Sequence, residues 1–106
     1  MQITLESALK ALECDNQHQF LKVMEHGSMT VEIYRPEKVD LQKPHQQDEL
    51  YVVISGSGYF INDGNRIKFK AGDILFVGAG IEHRFVNFTD NFSTWVIFYG
   101  AVGGEK

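Results

Sequence analysis

The residues best suited to chemistry fall in two short segments. His45, Gln47 and Glu49 stand two apart. In an extended chain, residues two apart face the same way. An imidazole, an amide and a carboxylate therefore converge on one side if the segment is extended and unbulged, and Lys43 and Tyr51 continue that parity. His83, Phe85 and Asn87 do the same further on, with Asn87 placed to hydrogen-bond nearby or to line the same pocket. Imidazole and carboxylate together are the donors of a divalent transition-metal site. The competing reading is plain: an isolated His in a β protein is more often a satisfied or partly exposed residue than a ligand. His18, in a polar stretch, and His26, beside Gly27, have no donor cluster and are read that way.

Other reactive types carry less. Lys43 forms a Schiff base only if it is desolvated. Arg66 and Arg84 are candidates to hold an anion, although Arg66 alternates with Ile67 as a solvated strand residue does. Tyr51 and Phe85 read as interior filler, and Cys14 as an inert packing residue.

The elements that must position these residues are mostly strands. Thr4 caps a short helix over about 4–13, in which Leu5, Ala8, Leu9 and Leu12 share one face as a lid on apolar surface. From Phe20 the pattern turns strand-like. Phe20 to Met24 precedes a turn at His26-Gly27, and Met29, Val31 and Ile33 alternate with Thr30, Glu32 and Tyr34. Residues 35 to 48 are polar and irregular. Glu49 to Ser55 is a strong strand, and Tyr59-Phe60-Ile61 resumes after a glycine break. Asn62-Asp63-Gly64-Asn65 is a hairpin signal, since Asp-Gly supplies the positive φ of a tight turn. Ile74 to Val77 is a continuous apolar run, the mark of a strand covered on both faces. His83 to Phe88 and Phe92 to Tyr99 complete the set. Seven or eight short strands at close spacing predict an all-β sandwich or barrel.

Composition bounds the function. The chain has 106 residues, one domain's worth, and 43 % are hydrophobic. The formal charge of −4 and the interspersed acids and bases offer a phosphate backbone no basic stripe, so no nucleic-acid partner is expected. A single Cys forms no internal disulfide and suits a reducing compartment. The beginning of the chain has neither a signal-peptide pattern nor a membrane span, which places the protein in the cytoplasm with no membrane partner.

Two segments carry a family resemblance. His45-Gln-Gln-Asp-Glu49 through Gly56 resembles the first motif of the cupins, with a His three or four residues before a Glu and that Glu seven before a Gly. Gly72 through Gly78, Gly80, His83 and Asn87 resembles the second, with Gly78 where the family usually has Pro. The resemblance implies a cupin jelly-roll barrel (a double-stranded β-helix) with a short N-terminal helix: one domain, 1–106, its barrel core at about 20–99. The family's first motif normally carries two His. Matching the spacing to Glu49 puts His45 at the second and Lys43 at the first. That leaves His45, Glu49 and His83 as metal ligands, a set suited to Fe, Mn, Ni, Co or Zn. In the alternative register, His45 takes the first role and Gln47 the second. A third outcome is a barrel that has lost its metal.

The resemblance further implies a metal-dependent enzyme of dioxygenase, isomerase or lyase type acting on a small molecule. The alternative is a non-catalytic small-ligand binding or sensing barrel. Leu50, Val52 and Ile54 on the parity opposite Glu49, with an apolar last strand, point to a homodimer.

Overall fold

Local sequence starts the fold. In the computed structural model, which describes residues 1–15, 19–40 and 44–105, Thr4 caps a helix, α1 (Leu5–Cys14), its Oγ1 accepting from the Ser7 amide at 3.1 Å. The helix ends where the Asp15 amide donates back to the Leu12 carbonyl. Among the described residues eight strands follow: β1 (Phe20–His26), β2 (Met29–Tyr34), β3 (Asp48–Ser55), β4 (Ser57–Asn62), β5 (Asn65–Lys70), β6 (Ile74–Val77), β7 (His83–Val86) and β8 (Ser93–Tyr99). They form a five-stranded sheet, β1-β2-β8-β3-β6, and a three-stranded sheet, β5-β4-β7. All pairings are antiparallel. No helix among the described residues is long and apolar enough to cross a membrane.

The core lies between the sheets. Tyr51, Val53, Val96 and Phe98 from the large sheet meet Phe60, Phe69 and Phe85 from the small one, with Phe92 beside them. The rings pack edge-on and tilted, as at Tyr51 and Phe85, whose centroids lie 4.9 Å apart at 88°. A second cluster sits on the outer face of the large sheet, where Ala8 and Leu12 of α1 cover Ile33, with Leu21, Val23, Ile54 and Trp95 packed around them. The helix is thus the lid its apolar spacing predicts, and Leu5 stays 38 % exposed at its margin.

Gly56 shows why the first motif ends in glycine. It joins β3 to β4 at φ +84, and a Cβ there would lie 2.6 Å from the Phe92 Cα. Both the conformation and the space exclude other residues.

Two local expectations need correction. The run Ile74–Val77 is not covered on both faces: Ile74 is 67 % and Phe76 51 % exposed, and β6 is the edge of its sheet. The strand from His83 stops at Val86, and Asn87 turns left-handed (φ 49) and is exposed, away from the interior. Arg66 is the solvated strand residue its alternation predicts, exposed on β5 with its guanidinium 4.2 Å over the Tyr59 ring on the outer face of the small sheet.

Candidate metal centre

The site forms at one end of the space between the sheets. Glu49 is the second residue of β3, held between Phe98 of β8 and Val77 of β6 by the register. Its parity turns it inward with Tyr51 and Val53, and it is 1 % exposed. His83 opens β7 opposite Asn62 of β4, so it enters from the other sheet, 3 % exposed. His45 stands on no strand: β3 begins only at Asp48. The His45 carbonyl accepts from the Gly80 amide at 2.7 Å, and the ring lies against Phe98 at 4.7 Å between centroids. The second motif's loop therefore fixes the first motif's histidine.

One ligand atom from each of His45, Glu49 and His83 lies within 4.8 Å of the others. His83 Nδ1 lies 2.8 Å from the Ile81 carbonyl. A carbonyl only accepts, so Nδ1 carries the proton and Nε2 is left to face the pocket. Nε2 lies 2.7 Å from Glu49 Oε1. That is ion-pair distance, but the direction does not meet hydrogen-bond geometry. The Nε2 atoms of both histidines and both Glu49 oxygens are buried without a hydrogen-bond partner among the described residues. Lone pairs brought together in this way, and a carboxylate buried this deeply, are costly unless a cation lies between them.

The electrostatics agree with that reading. Burial is the largest influence on His83 and disfavours its charged form. Glu49, the Ile81 carbonyl and Asp40 together outweigh it and raise the pKa. Burial also dominates at His45. With the nearby His83 it outweighs the pull of Glu49 and Asp40, and the pKa falls. A lowered pKa keeps an imidazole neutral, the form that binds a metal.

Gln47 spends its amide nitrogen on backbone carbonyls, donating to that of Ser28 at 2.9 Å and that of Gly100 at 3.0 Å, and ties the approach to β3 onto the β1–β2 turn and the end of β8. Lys43 and His18 fall outside the described residues.

Three acids with a part in the site escaped the sequence reading. Asp40, buried, accepts from the Tyr34 hydroxyl at 2.5 Å and the Phe85 amide at 2.7 Å, and so ties residue 40 to β2 and β7. Asp48 accepts from the Ala79 and Glu105 amides at 2.9 and 2.8 Å, which holds the 78–80 loop beside the cluster. Apart from the Tyr34 hydroxyl, their partners are backbone groups far off in sequence, and no spacing announces them. Glu32 did carry a signal, since it alternates with Ile33 and shares a face with Tyr34.

Comparison with known proteins supplies the frame for this geometry. A family model described as the cupin domain matches residues 30–99. An uncharacterized protein of Streptomyces coelicolor is 29 % identical over 92 residues, which cover 85 % of this chain and 88 % of that protein. Acireductone dioxygenase of Drosophila melanogaster is 43 % identical over 53 residues, but these span 45 % of this chain and only 28 % of the enzyme. Among solved structures, a cupin 2 conserved barrel domain protein of Salinispora arenicola superposes with a TM-score of 0.70 at 21 % identity, covering 95 % of this chain and 90 % of that one.

Proposed function

The chain belongs to the cupin family, and from that membership we propose that it is a small metal-binding cupin, a metal-dependent enzyme of oxygenase, isomerase or lyase type acting on a small molecule. His45, Glu49 and His83 hold the ion. One observation carries the reading: four buried donor atoms from three residues converge, and none has a hydrogen-bond partner among the described residues. Two imidazoles and a carboxylate suit Fe(II), Mn, Co, Ni or Zn and leave positions open for a ligand. When bound, such an ion supplies a Lewis acid or an O₂ site.

The chain's own residues do the rest. Glu49 offsets the ion's charge. The Ile81 carbonyl keeps Nε2 of His83 turned inward. Phe98 against His45, and Tyr51 and Phe60 around His83, keep water from the donors and so strengthen the field within. A cleft lined by Ile61, Asp63, Gly64, Glu82 and Arg84 lies beside His83, whose side chain is itself fully covered.

Elemental analysis of untagged protein tests this directly. About one transition-metal ion per chain is expected, as for a single three-donor centre. Protein that stays metal-free after incubation with each of the five ions would defeat the proposal.

The same reading extends to assembly. The outer face of the large sheet beyond α1 carries Leu50 in register with Phe76 and Ile97, and Val52 with Ile74, and the β6 side chains stand open. A second copy covers this face in the proposed homodimer. Light scattering at micromolar concentration should give twice the chain mass, and Phe76→Glu should return it to one; a monomer in the unmodified protein refutes the dimer.

A further inference from the structure

The inner wall of β2 carries a carboxylate that the metal cluster does not use. Ile33 faces outward, packed under α1, so its neighbours Glu32 and Tyr34 face the space between the sheets. The register sets Glu32 opposite Val96, a buried residue of β8 one pleat away from Phe98, on which His45 rests. Among the described residues Glu32 has neither a hydrogen bond nor an ion pair. Lys22, its neighbour on β1, directs its ammonium to Glu25 at 3.1 Å. Burial, followed by the nearby charge of Glu49, raises the Glu32 pKa against the opposing pull of Lys22. A partly buried carboxylate without a donor among the described residues thus stands on the inner face of β2, in one row with Val96 and Tyr51.

Resting on the metal reading above, we infer that Glu32 sets the chemical class of the ligand. The pocket takes a molecule that binds the ion through one carboxylate or carbonyl and offers a neutral hydrogen-bond donor, a hydroxyl or an amine, to Glu32. It discriminates against a molecule that brings a second carboxylate. A divalent ion with Glu49 beside it leaves one positive charge, which one anionic group neutralises. A second anionic group meets the Glu32 charge across a poorly solvated space, where repulsion is strong. A hydroxyl in the same place gives Glu32 the charge-assisted hydrogen bond it lacks.

Glycolate and oxalate are matched probes: each is a two-carbon chelator, one ending in a hydroxyl and the other in a second carboxylate. Their dissociation constants are measured by calorimetry on cobalt-loaded protein whose cobalt content is verified. Glu32→Gln should leave cobalt content unchanged and shift the glycolate-to-oxalate preference toward oxalate by about tenfold or more, the effect of removing one poorly screened like charge. Glu32→Asp, which keeps the charge, should retain most of the original preference; a purely structural role would not separate the two variants in this way. An unchanged ratio in Glu32→Gln at full cobalt content overturns this inference and leaves the metal reading standing. Unmodified protein that takes up no cobalt or other divalent ion overturns both.

Discussion

The two ends of the interior are built by the same rule and differ in outcome. At one end Phe69, Phe85 and Phe92 fill the space between the sheets with tilted and edge-on rings. At the other, positions of the same inward parity hold Glu49 and His83, joined by His45. The first end is apolar and closed. The second leaves four donor atoms buried without a hydrogen-bond partner among the described residues. Inward parity therefore decides only which side chains meet; residue type decides whether the meeting stabilises the protein or waits for a ligand. Substitutions at the aromatic end should change stability, and those at the polar end should change metal content.

The largest expected effect is at His83. His83→Ala removes the inward donor of β7, and metal affinity should fall by well over the roughly 10–100-fold that loss of an outer partner costs. Metal analysis after dialysis reads it, and full occupancy in the variant would dissolve the contrast between the two ends. Next comes Phe85→Ala at the aromatic end. Phe85 touches Tyr51, Phe60, Phe69 and Phe92, so its truncation should cost about 3–5 kcal/mol in urea unfolding. Metal stoichiometry in the folded fraction should survive.

Gln47→Ala is milder. Its two hydrogen bonds go to carbonyls that water can partly reach, so about 1 kcal/mol should be lost. Metal content should hold, and its loss would instead move Gln47 into the ligand set.

The smallest effect is at Glu32 and depends on pH. The folded protein raises this carboxyl's pKa, so between the unfolded and folded values the native state binds the extra proton. Wild-type stability then falls as pH rises through that window. Glu32→Gln does not titrate, so metal-free variant should melt above metal-free wild type at about pH 7, and the gain should vanish below about pH 3 where both states are protonated. A variant that melts lower at neutral pH would show that Glu32 has an attractive partner after all.

Much of this was legible in the sequence. Alternation placed Glu49 and Tyr51 on one inner face, and the Asp63-Gly64 turn appears between β4 and β5 as its composition requires. Parity gave the convergence of His45 with Glu49 for the wrong local reason. His45 belongs to a loop, and a backbone bond to Gly80, 35 residues further along the chain, brings it in. Long-range backbone partners of this kind leave no periodic trace, which also hid Asp40 and Asp48. The apolar run of β6 misled differently. A run of four apolar residues looks the same at a covered centre and at an edge, and only strand order separates them.

The Ile81 carbonyl on His83 Nδ1 has a consequence for how the site fills. With Nδ1 occupied, the second proton of the raised-pKa imidazolium resides on Nε2, where a metal would bind. Loading is then an ion exchange: a cation that enters expels a proton to solvent. Below the His83 pKa the two compete for one seat, and apparent affinity drops about tenfold for each unit of acidification. A backbone oxygen that does not itself reach the ion thus decides, by holding the ring of its ligand, which proton an entering cation must displace.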